Sequence, residues 1–203
     1  MAERQIKSQD RVRDLAEVYT AKREVNDMLD LVKDESYRID SRFLEPACGN
    51  GNFLEEILLR KVHTASMNYS GPKSFEFDLI LALTSIYGVD IDPQNVKESR
   101  ERLSAVVKGV HAAKLSPGKR SKEFDQSVDF VLGTNIIEGD MINRVEHIQF
   151  TQYEKKSRSD FLLKTFRLPD LMSAGGDLFS AEPQPIAEMG PVHYTKLGEI
   201  VCE

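Results

Sequence analysis

The sequence predicts an α/β fold in which a small parallel sheet is flanked by helices. Short apolar runs are separated by longer stretches in which apolar residues recur every three or four positions, the spacing of one helix face. Strands that alternate with helices in this way form parallel sheets. An acidic residue stands at or just after the end of three such runs, at Glu45, Asp90 and Asp140. Because parallel strands end at the same edge of a sheet, we expect these three residues to lie close together.

The elements up to residue 142 follow from apolar periodicity and from Gly and Pro at the boundaries. The first helix is expected from about Ala21 to Lys33, with Thr20 placed to cap it. A strand over 42–45 then leads into a glycine turn and a helix whose apolar face begins at Leu54. The remaining elements are expected as a helix over 75–84, a strand over 85–91, a helix over 94–108, a helix over 122–132 and a strand over 135–138.

The pattern changes after Asp140. Two short β-like runs, over 147–153 and 161–166, flank the charged turn KKSRS and predict a β-hairpin. From Ala174 onward the chain is rich in Gly and Pro and has neither period, which predicts an irregular tail. The expected organisation is therefore one domain over 1–142, a hairpin extension of that domain over 143–173 and an irregular tail over 174–203.

Composition excludes several classes of protein. The longest apolar stretches, such as 79–83, are too short to cross a membrane, and the charged N-terminus does not resemble a signal peptide, so a cytoplasmic location is expected. Two cysteines in no Cys/His pattern predict neither a disulfide framework nor a metal site. The net charge of −6 is unusual for an autonomous DNA-binding protein, because duplex DNA is held by neutralising its phosphates. The basic runs over 114–122 and 155–158 could contact phosphate or be solvated loops.

The run from Glu45 to Phe53 (EPACGNGNF) follows the first predicted strand. Gly49 and Gly51 allow the backbone to turn sharply and to approach a ligand closely, although glycines after a strand often only form a turn. Asp90 stands where a carboxylate can accept hydrogen bonds from both hydroxyls of a ribose. The alternatives are turn formation before Pro93 for Asp90 and Asp92, and a cap or turn for Asp140.

Four stretches in order, at 17–20, 43–53, 87–93 and 137–141, resemble the cofactor motifs of the adenine-specific amino-methyltransferases of restriction–modification systems. The resemblance covers roughly residues 10 to 142. It implies an incomplete Rossmann-like class I methyltransferase sheet that binds S-adenosylmethionine. The residues that it assigns to cofactor binding are Thr20, Glu45, Pro46, Ala47, Gly49, Gly51, Asn52, Phe53, Asp90, Ile91, Asp92, Asp140 and Met141.

The resemblance also implies a role for particular residues. Glu45 and the backbone around Ala47 and Gly49 would hold the amino acid part of the cofactor. Asp90 would bind the ribose hydroxyls and Ile91 would lie against the adenine face. In the N-terminal and adenine motifs, Thr20 would lie near the methionine part, with Ala21 in place of the usual proline, and Asp140 would accept from the adenine amine.

The sequence departs from the family in two ways. Glu45 and Asp90 are 45 positions apart, about twice the usual separation, so a helix is inserted between them, over 75–84. The catalytic motif, Asn or Asp followed by Pro-Pro and an aromatic residue, is not found, because no two of the eight prolines are adjacent. The nearest fragment is 190–194 (GPVHY), which lacks the second proline and the leading amide. No catalytic residue is therefore assigned.

In the family, the strand that carries the catalytic motif lies beside the first strand. Without it, the strand at 42–45 becomes a sheet edge that either the segment 147–171 or a second polypeptide is expected to cover. The favoured hypothesis is a split DNA methyltransferase whose partner subunit supplies the base pocket and contacts DNA. Two alternatives stay open: a catalytically silent cofactor-binding module that regulates a restriction or phage-defence complex, and a methyltransferase that acts alone on a small substrate.

Overall fold

Three parallel strands form the first of two small sheets in this mixed α/β protein. The structure is a computed structural model that describes residues 20–116, 118, 120–173 and 183–200. The strands are β1 (Phe43–Glu45), β2 (Ile86–Asp90) and β3 (Ile136–Glu138), in the order β1-β2-β3. Each pair is parallel. The predicted alternation of helices with parallel strands is confirmed.

Seven helices accompany the strands in the described part of the chain. Their bounds are α1 (Lys22–Leu31), α2 (Lys33–Tyr37), α3 (Asn52–Met67), α4 (Pro72–Thr84), α5 (Pro93–Leu115), α6 (Lys122–Asn135) and α7 (Leu168–Ser173). The inserted helix that the sequence predicts over 75–84 is α4. The helix predicted over 94–108 continues to Leu115, where Val107 and Leu115 remain buried.

Two details of the predicted first helix are wrong. The helix ends at Leu31 because Val32 has φ −119° and ψ 40°, which is outside the helical region, and a short second helix follows. Thr20 is not the cap, since Ala21 precedes the first helical residue and the Glu24 carboxylate accepts a hydrogen bond from the Ala21 N–H at 3.3 Å. Thr20 instead accepts a hydrogen bond through its carbonyl from Asn52 Nδ2 at 3.1 Å.

The helices cover one face of the parallel sheet in a large apolar core, and a smaller apolar cluster that includes Tyr87 and Val89 of β2 lies on the other face. All five residues of β2 are buried, as expected for a central strand covered on both faces. Helix α4 is apolar in its second half, and residues 79 to 83 are all buried. No helix among the described residues has both the length and the apolar character needed to cross a membrane.

The predicted hairpin is confirmed as β4 (Gln149–Lys155) and β5 (Asp160–Arg167), which pair antiparallel. A third strand, β6 (Ala187–His193), pairs with the other edge of β5 and leads into a 3₁₀ helix over Tyr194–Glu199. The expectation of an irregular tail is therefore wrong for residues 187–199. Pro191 lies on an edge strand, between Met189 and Val192, where the register of β6 with β5 shifts, and edge strands and bulges are where a sheet tolerates proline. The rest of the predicted tail, at 174–182 and 201–203, lies outside the described residues.

Aromatic contacts join the antiparallel sheet to the helices and the parallel sheet. Phe161 of β5 stacks on Phe77 of α4 with ring centroids 4.9 Å apart. Tyr87 of β2 packs edge to face with Phe150 of β4, and its hydroxyl donates to the Thr151 carbonyl at 3.1 Å. These contacts bury one face of the hairpin, so the hairpin belongs to the same packed unit as the first sheet.

The hairpin does not pair with β1. Among the described strands, β1 hydrogen-bonds only to β2. Beside β1 lies an apolar groove of about 180 Å³, and the exposed fraction of Leu44 there is 44%. The groove is lined by Arg42, Phe43, Leu44, Tyr87, Phe150, Gln152, Phe166 and Leu171. The hairpin therefore forms one wall of this groove and leaves the edge of β1 without a neighbouring strand among these residues.

Candidate functional site

A cavity of about 440 Å³ lies at the carboxyl ends of the three parallel strands. Glu45, Asp90 and Asp140 all line it, as their positions at the strand ends predict. Twelve of the thirteen residues that the sequence assigns to the site line this one cavity, and the exception is Gly51. The twelve are Thr20, Glu45, Pro46, Ala47, Gly49, Asn52, Phe53, Asp90, Ile91, Asp92, Asp140 and Met141.

Gly51 shapes the turn from outside the cavity. It precedes α3 in the left-handed conformation, with φ +82° and ψ 17°. A Cβ at this position would lie 3.0 Å from Ser99 Cα, so the turn packs directly against α5. Gly49 also has a positive φ of 52°. The two glycines are needed because L side chains rarely adopt this conformation.

Asp90 connects the ends of β1 and β2. Its Oδ2 accepts a hydrogen bond from the Gly49 N–H at 2.7 Å, and its Oδ1 accepts from the Asp92 N–H at 2.9 Å. Asn95 Nδ2 donates to Oδ1 at 3.3 Å. The carboxylate is buried, with 9% of the residue exposed, and these three donors compensate for its desolvation. Asp90 therefore holds the glycine turn in place while it lines the cavity.

Burial changes the proton affinity of two neighbours of Asp90. Burial raises the pKa of the Glu45 carboxyl, and the Ala47 backbone N–H opposes that shift. Burial, together with the negative charges of Asp90 and Glu45, raises the pKa of the Cys48 thiol to about 12. Cys48 is therefore a neutral thiol near pH 7 and is a poor nucleophile, because thiolate is the reactive form.

Asp140 has the turn-forming role that the sequence left open as an alternative. Its Oδ1 accepts hydrogen bonds from the backbone N–H groups of Ile142 at 2.9 Å and Asn143 at 2.8 Å. The Asn143 side chain donates to Oδ2 at 2.9 Å. The hydrogen bonds from Asn143 and Ile142 lower the pKa of Asp140. An ionised carboxylate is thus fixed at the cavity mouth.

The cavity has an apolar rim as well as acidic walls. Ile91 is 60% exposed and Ile142 is 87% exposed, although both line the cavity. Aliphatic side chains exposed beside a cavity can pack against the faces of a flat ring. The acidic residues of the lining are Glu45, Asp90, Asp92 and Asp140, and no Lys, Arg or His lines the described cavity. This charge pattern favours a ligand with positive charge and disfavours a polyphosphate.

Five lining residues were not predicted from the sequence: Val25, Cys48, Asn95, Gly139 and Ile142. Cys48 and Gly139 lie within the stretches at 43–53 and 137–141, so their position beside assigned residues could have predicted them. Val25 comes from α1, which the buried Arg60 fixes by donating to the Asn26 carbonyl at 3.1 Å and pairing with Asp30 at 2.7 Å. Asn95 is in the first turn of α5, five residues after Asp90, and donates a hydrogen bond to the Asp90 carboxylate at the cavity.

The site has no grouping typical of a metal centre. Within the described ranges, no three His, Cys, Asp or Glu side chains are arranged to hold a metal ion.

Comparison with known proteins found no matching family model and no significant match to a curated protein or a solved structure.

Proposed function

We propose that this chain binds S-adenosylmethionine in the cavity and acts as the cofactor-binding subunit of a split DNA adenine methyltransferase. The observation that carries the proposal is the convergence of the glycine turn, Asp90, Ile91 and Asp140 on one cavity at the carboxyl edge of a parallel sheet. Ligands of open α/β sheets bind at this edge. The proposal includes a Rossmann-like class I methyltransferase arrangement for the parallel sheet.

The size and charge of the cavity suit this cofactor. Its volume of about 440 Å³ falls in the range of ligand sites, which is roughly 300–1,000 Å³. S-adenosylmethionine carries a sulfonium and an ammonium group, and the acidic lining is attractive to both. When bound, the cofactor supplies an electrophilic methyl group, and the residues of this chain bind and orient it.

The residues have distinct proposed roles. Asp90 Oδ2 accepts one hydrogen bond from the described residues, so it retains an acceptor position for a ribose hydroxyl. Both acceptor positions of Oδ1 are used within the protein, which favours contact with one hydroxyl rather than two. Ile91 and Ile142 would pack on the adenine, with Asp140 near its amine. Glu45 would face the amino acid part of the cofactor.

The base pocket and the DNA contacts are assigned to a partner subunit. The sequence has no Pro-Pro-aromatic motif, and β1 has an unpaired edge beside an apolar groove in the described structure. A strand contributed by the partner would pair with β1 and cover the groove. The net charge of this chain is −6, so the basic surface that binds DNA is assigned to the partner. A DNA-modifying complex of this kind would act in the cytoplasm.

A catalytically silent module is the second candidate, and it is favoured by the same lack of a recognised catalytic motif. In that case, cofactor occupancy would regulate a restriction or phage-defence complex.

We expect the purified chain to bind S-adenosylmethionine but to transfer no methyl group to DNA. The measurement is incorporation of labelled methyl groups into DNA, with and without proteins encoded nearby. Activity that appears only with a partner supports the split enzyme, binding without any transfer supports the silent module, and activity of the chain alone contradicts both.

Substitution of Asp90 tests the ribose assignment. We expect Asp90→Asn to weaken S-adenosylmethionine binding by about 10-fold or more, because a hydrogen bond to a charged acceptor contributes about 1.5–3 kcal/mol. The amide nitrogen introduced by the substitution would also replace the oxygen that accepts a hydrogen bond from the N–H of either Gly49 or Asp92. Isothermal titration calorimetry measures the affinity, at a temperature at which thermal unfolding shows the variant to be folded.

Asp129→Asn is the matched control, since Asp129 lies on α6, outside the cavity lining, and its side chain is 65% exposed. It should bind the cofactor as the wild type does. Equal affinities for the wild type and Asp90→Asn would mean that Asp90 does not contact the ligand.

A further inference from the structure

Three polar residues of α5 contact the glycine turn or the carboxylate that holds it. Asn95, Ser99 and Arg102 are spaced by four and three positions, which places them on one face of the helix. None of them lies in the four stretches at 17–20, 43–53, 87–93 and 137–141. We call these three residues the α5 stripe. Each of them contacts a different part of the turn or of the carboxylate that holds it.

The first two residues of the stripe support the turn directly. Asn95 is buried and donates to Asp90 Oδ1 at 3.3 Å, while the other oxygen of Asp90 holds Gly49. Ser99 is fully buried and lies against Gly51, so closely that no Cβ fits there. The position of the turn relative to β2 therefore depends on α5.

Arg102 contacts both the turn and the helix that follows it. Its Nε donates to the Asn50 carbonyl at 3.0 Å, and its Nη1 pairs with Glu55 Oε2 in the first turn of α3 at 2.7 Å. The side chains of Arg102 and Glu55 are 33% and 24% exposed. The guanidinium thus bridges the middle of the turn and the start of the helix that follows it.

An ordinary surface ion pair contributes only about 0–1 kcal/mol to the free energy of unfolding. Arg102 differs because one of its two contacts is to the backbone of the turn itself, at the residue between two glycines with positive φ. Glycines leave the backbone free to adopt many conformations. A planar guanidinium that contacts both Asn50 and Glu55 removes part of that freedom, which a single ammonium group could not do in the same way.

We propose that Arg102 is a positioning residue that fixes the glycine turn in its ligand-binding conformation. The inference rests on the proposed function for the identity of the ligand, whereas the ordering of the turn is a property of the ligand-free chain. Arg102 does not line the cavity, so its effect on binding must act through the turn. Preorganisation of this kind raises affinity because less conformational entropy is lost on binding.

The test compares Arg102→Met with Lys108→Met. Lys108 lies on the same helix and pairs with Asp129 at 3.3 Å, so the control removes the same charge and one ion pair without touching the turn. Two quantities are measured: the affinity for S-adenosylmethionine by calorimetry, and amide hydrogen exchange in the ligand-free protein. We expect Arg102→Met to weaken binding by roughly 10-fold and to speed exchange at Gly49 and Gly51 by a similar factor. Lys108→Met should change neither quantity.

The outcomes separate this inference from the proposed function. Unchanged exchange at Gly49 and Gly51 in Arg102→Met overturns the inference, as does an equal increase throughout the molecule, which would indicate only a loss of global stability. Failure of the wild type to bind S-adenosylmethionine contradicts the proposed function, and the exchange measurement still tests the positioning role. If Arg102→Met does not fold, Arg102→Lys takes its place, because a lysine cannot contact Asn50 and Glu55 with one planar group.

Discussion

Gly51→Ala is expected to lower the free energy of unfolding by about 2–5 kcal/mol and to abolish measurable cofactor binding. Gly51 has φ +82°, a conformation that costs an L residue about 1–2 kcal/mol. The added methyl group would also stand 3.0 Å from Ser99 Cα, and overpacking of this kind costs about 1–3 kcal/mol. Relief of the contact requires α3 and α5 to separate, which moves the turn that forms one wall of the cavity.

Gly109→Ala is the control for this prediction. Gly109 lies inside α5, and a Cβ there meets no other atom within 4 Å. Alanine is favoured over glycine within a helix by about 0.5–1 kcal/mol, so this variant should be slightly more stable than the wild type. Thermal or urea unfolding and calorimetric titration measure both effects. Similar stability and affinity for the two alanine variants would contradict the proposed packing of the turn against α5.

Lys61 is expected to make the stability of the protein depend on pH above neutrality. Its side chain is completely buried at the end of the sheet opposite the cavity, where Nζ donates to the carbonyls of Arg38 and Ile39 at 3.1 Å each, to the Ser41 carbonyl, and to Ser85 Oγ at 2.8 Å. The acceptors stabilise the ammonium form, but burial opposes it more strongly and lowers the pKa of Lys61 to about 7.

The sign of the effect follows from proton linkage. Below pH 7 the folded and unfolded chains both carry the proton on Lys61. Between pH 7 and the ordinary lysine value of 10.5, the unfolded chain binds one more proton than the folded chain. Stability from this group therefore rises with pH in that interval, by up to about 1.4 kcal/mol per pH unit, and is lost as the pH falls towards 7.

The prediction is checked by urea unfolding between pH 7 and 9 for the wild type, Lys61→Met and Lys108→Met. Lys61→Met should lack the rise in stability, because it has no titrating group at this position. Lys108→Met should keep it, since Lys108 lies on α5, pairs with Asp129 and makes none of the contacts of Lys61. Comparison of the slopes cancels contributions from groups shared by all three proteins, including Cys48. Parallel curves for the wild type and Lys61→Met would contradict the assignment.

The strand ends and the glycine turn could be predicted because their signals are local. Glu45, Asp90 and Asp140 each follow a short apolar run, and parallel strands bring such positions together whatever the details of packing. The inserted helix α4 was likewise predicted from the length of chain between two strands. The β4–β5 hairpin followed from two apolar runs separated by a charged turn.

Other features depended on contacts between distant parts of the chain. The residues of β6 include Gly190 and Pro191 and have no strand-like period, and they form a strand because β5 offers an unpaired edge. Val32 interrupts the predicted first helix although its neighbours have helical spacing. Arg102 showed no signal in the sequence, because its partner in the glycine turn, Asn50, is 52 positions away.

By itself, the sequence determined which residues meet at the carboxyl edge of the parallel sheet, because the order of apolar runs sets where each strand ends. The tertiary structure decided how those residues are held. The packing of α5 against Gly51 and the hydrogen bond that Asp90 accepts from the Gly49 N–H both join residues far apart in the sequence. Local propensities contain no information on such long-range contacts, which exist only once the helices and strands have packed.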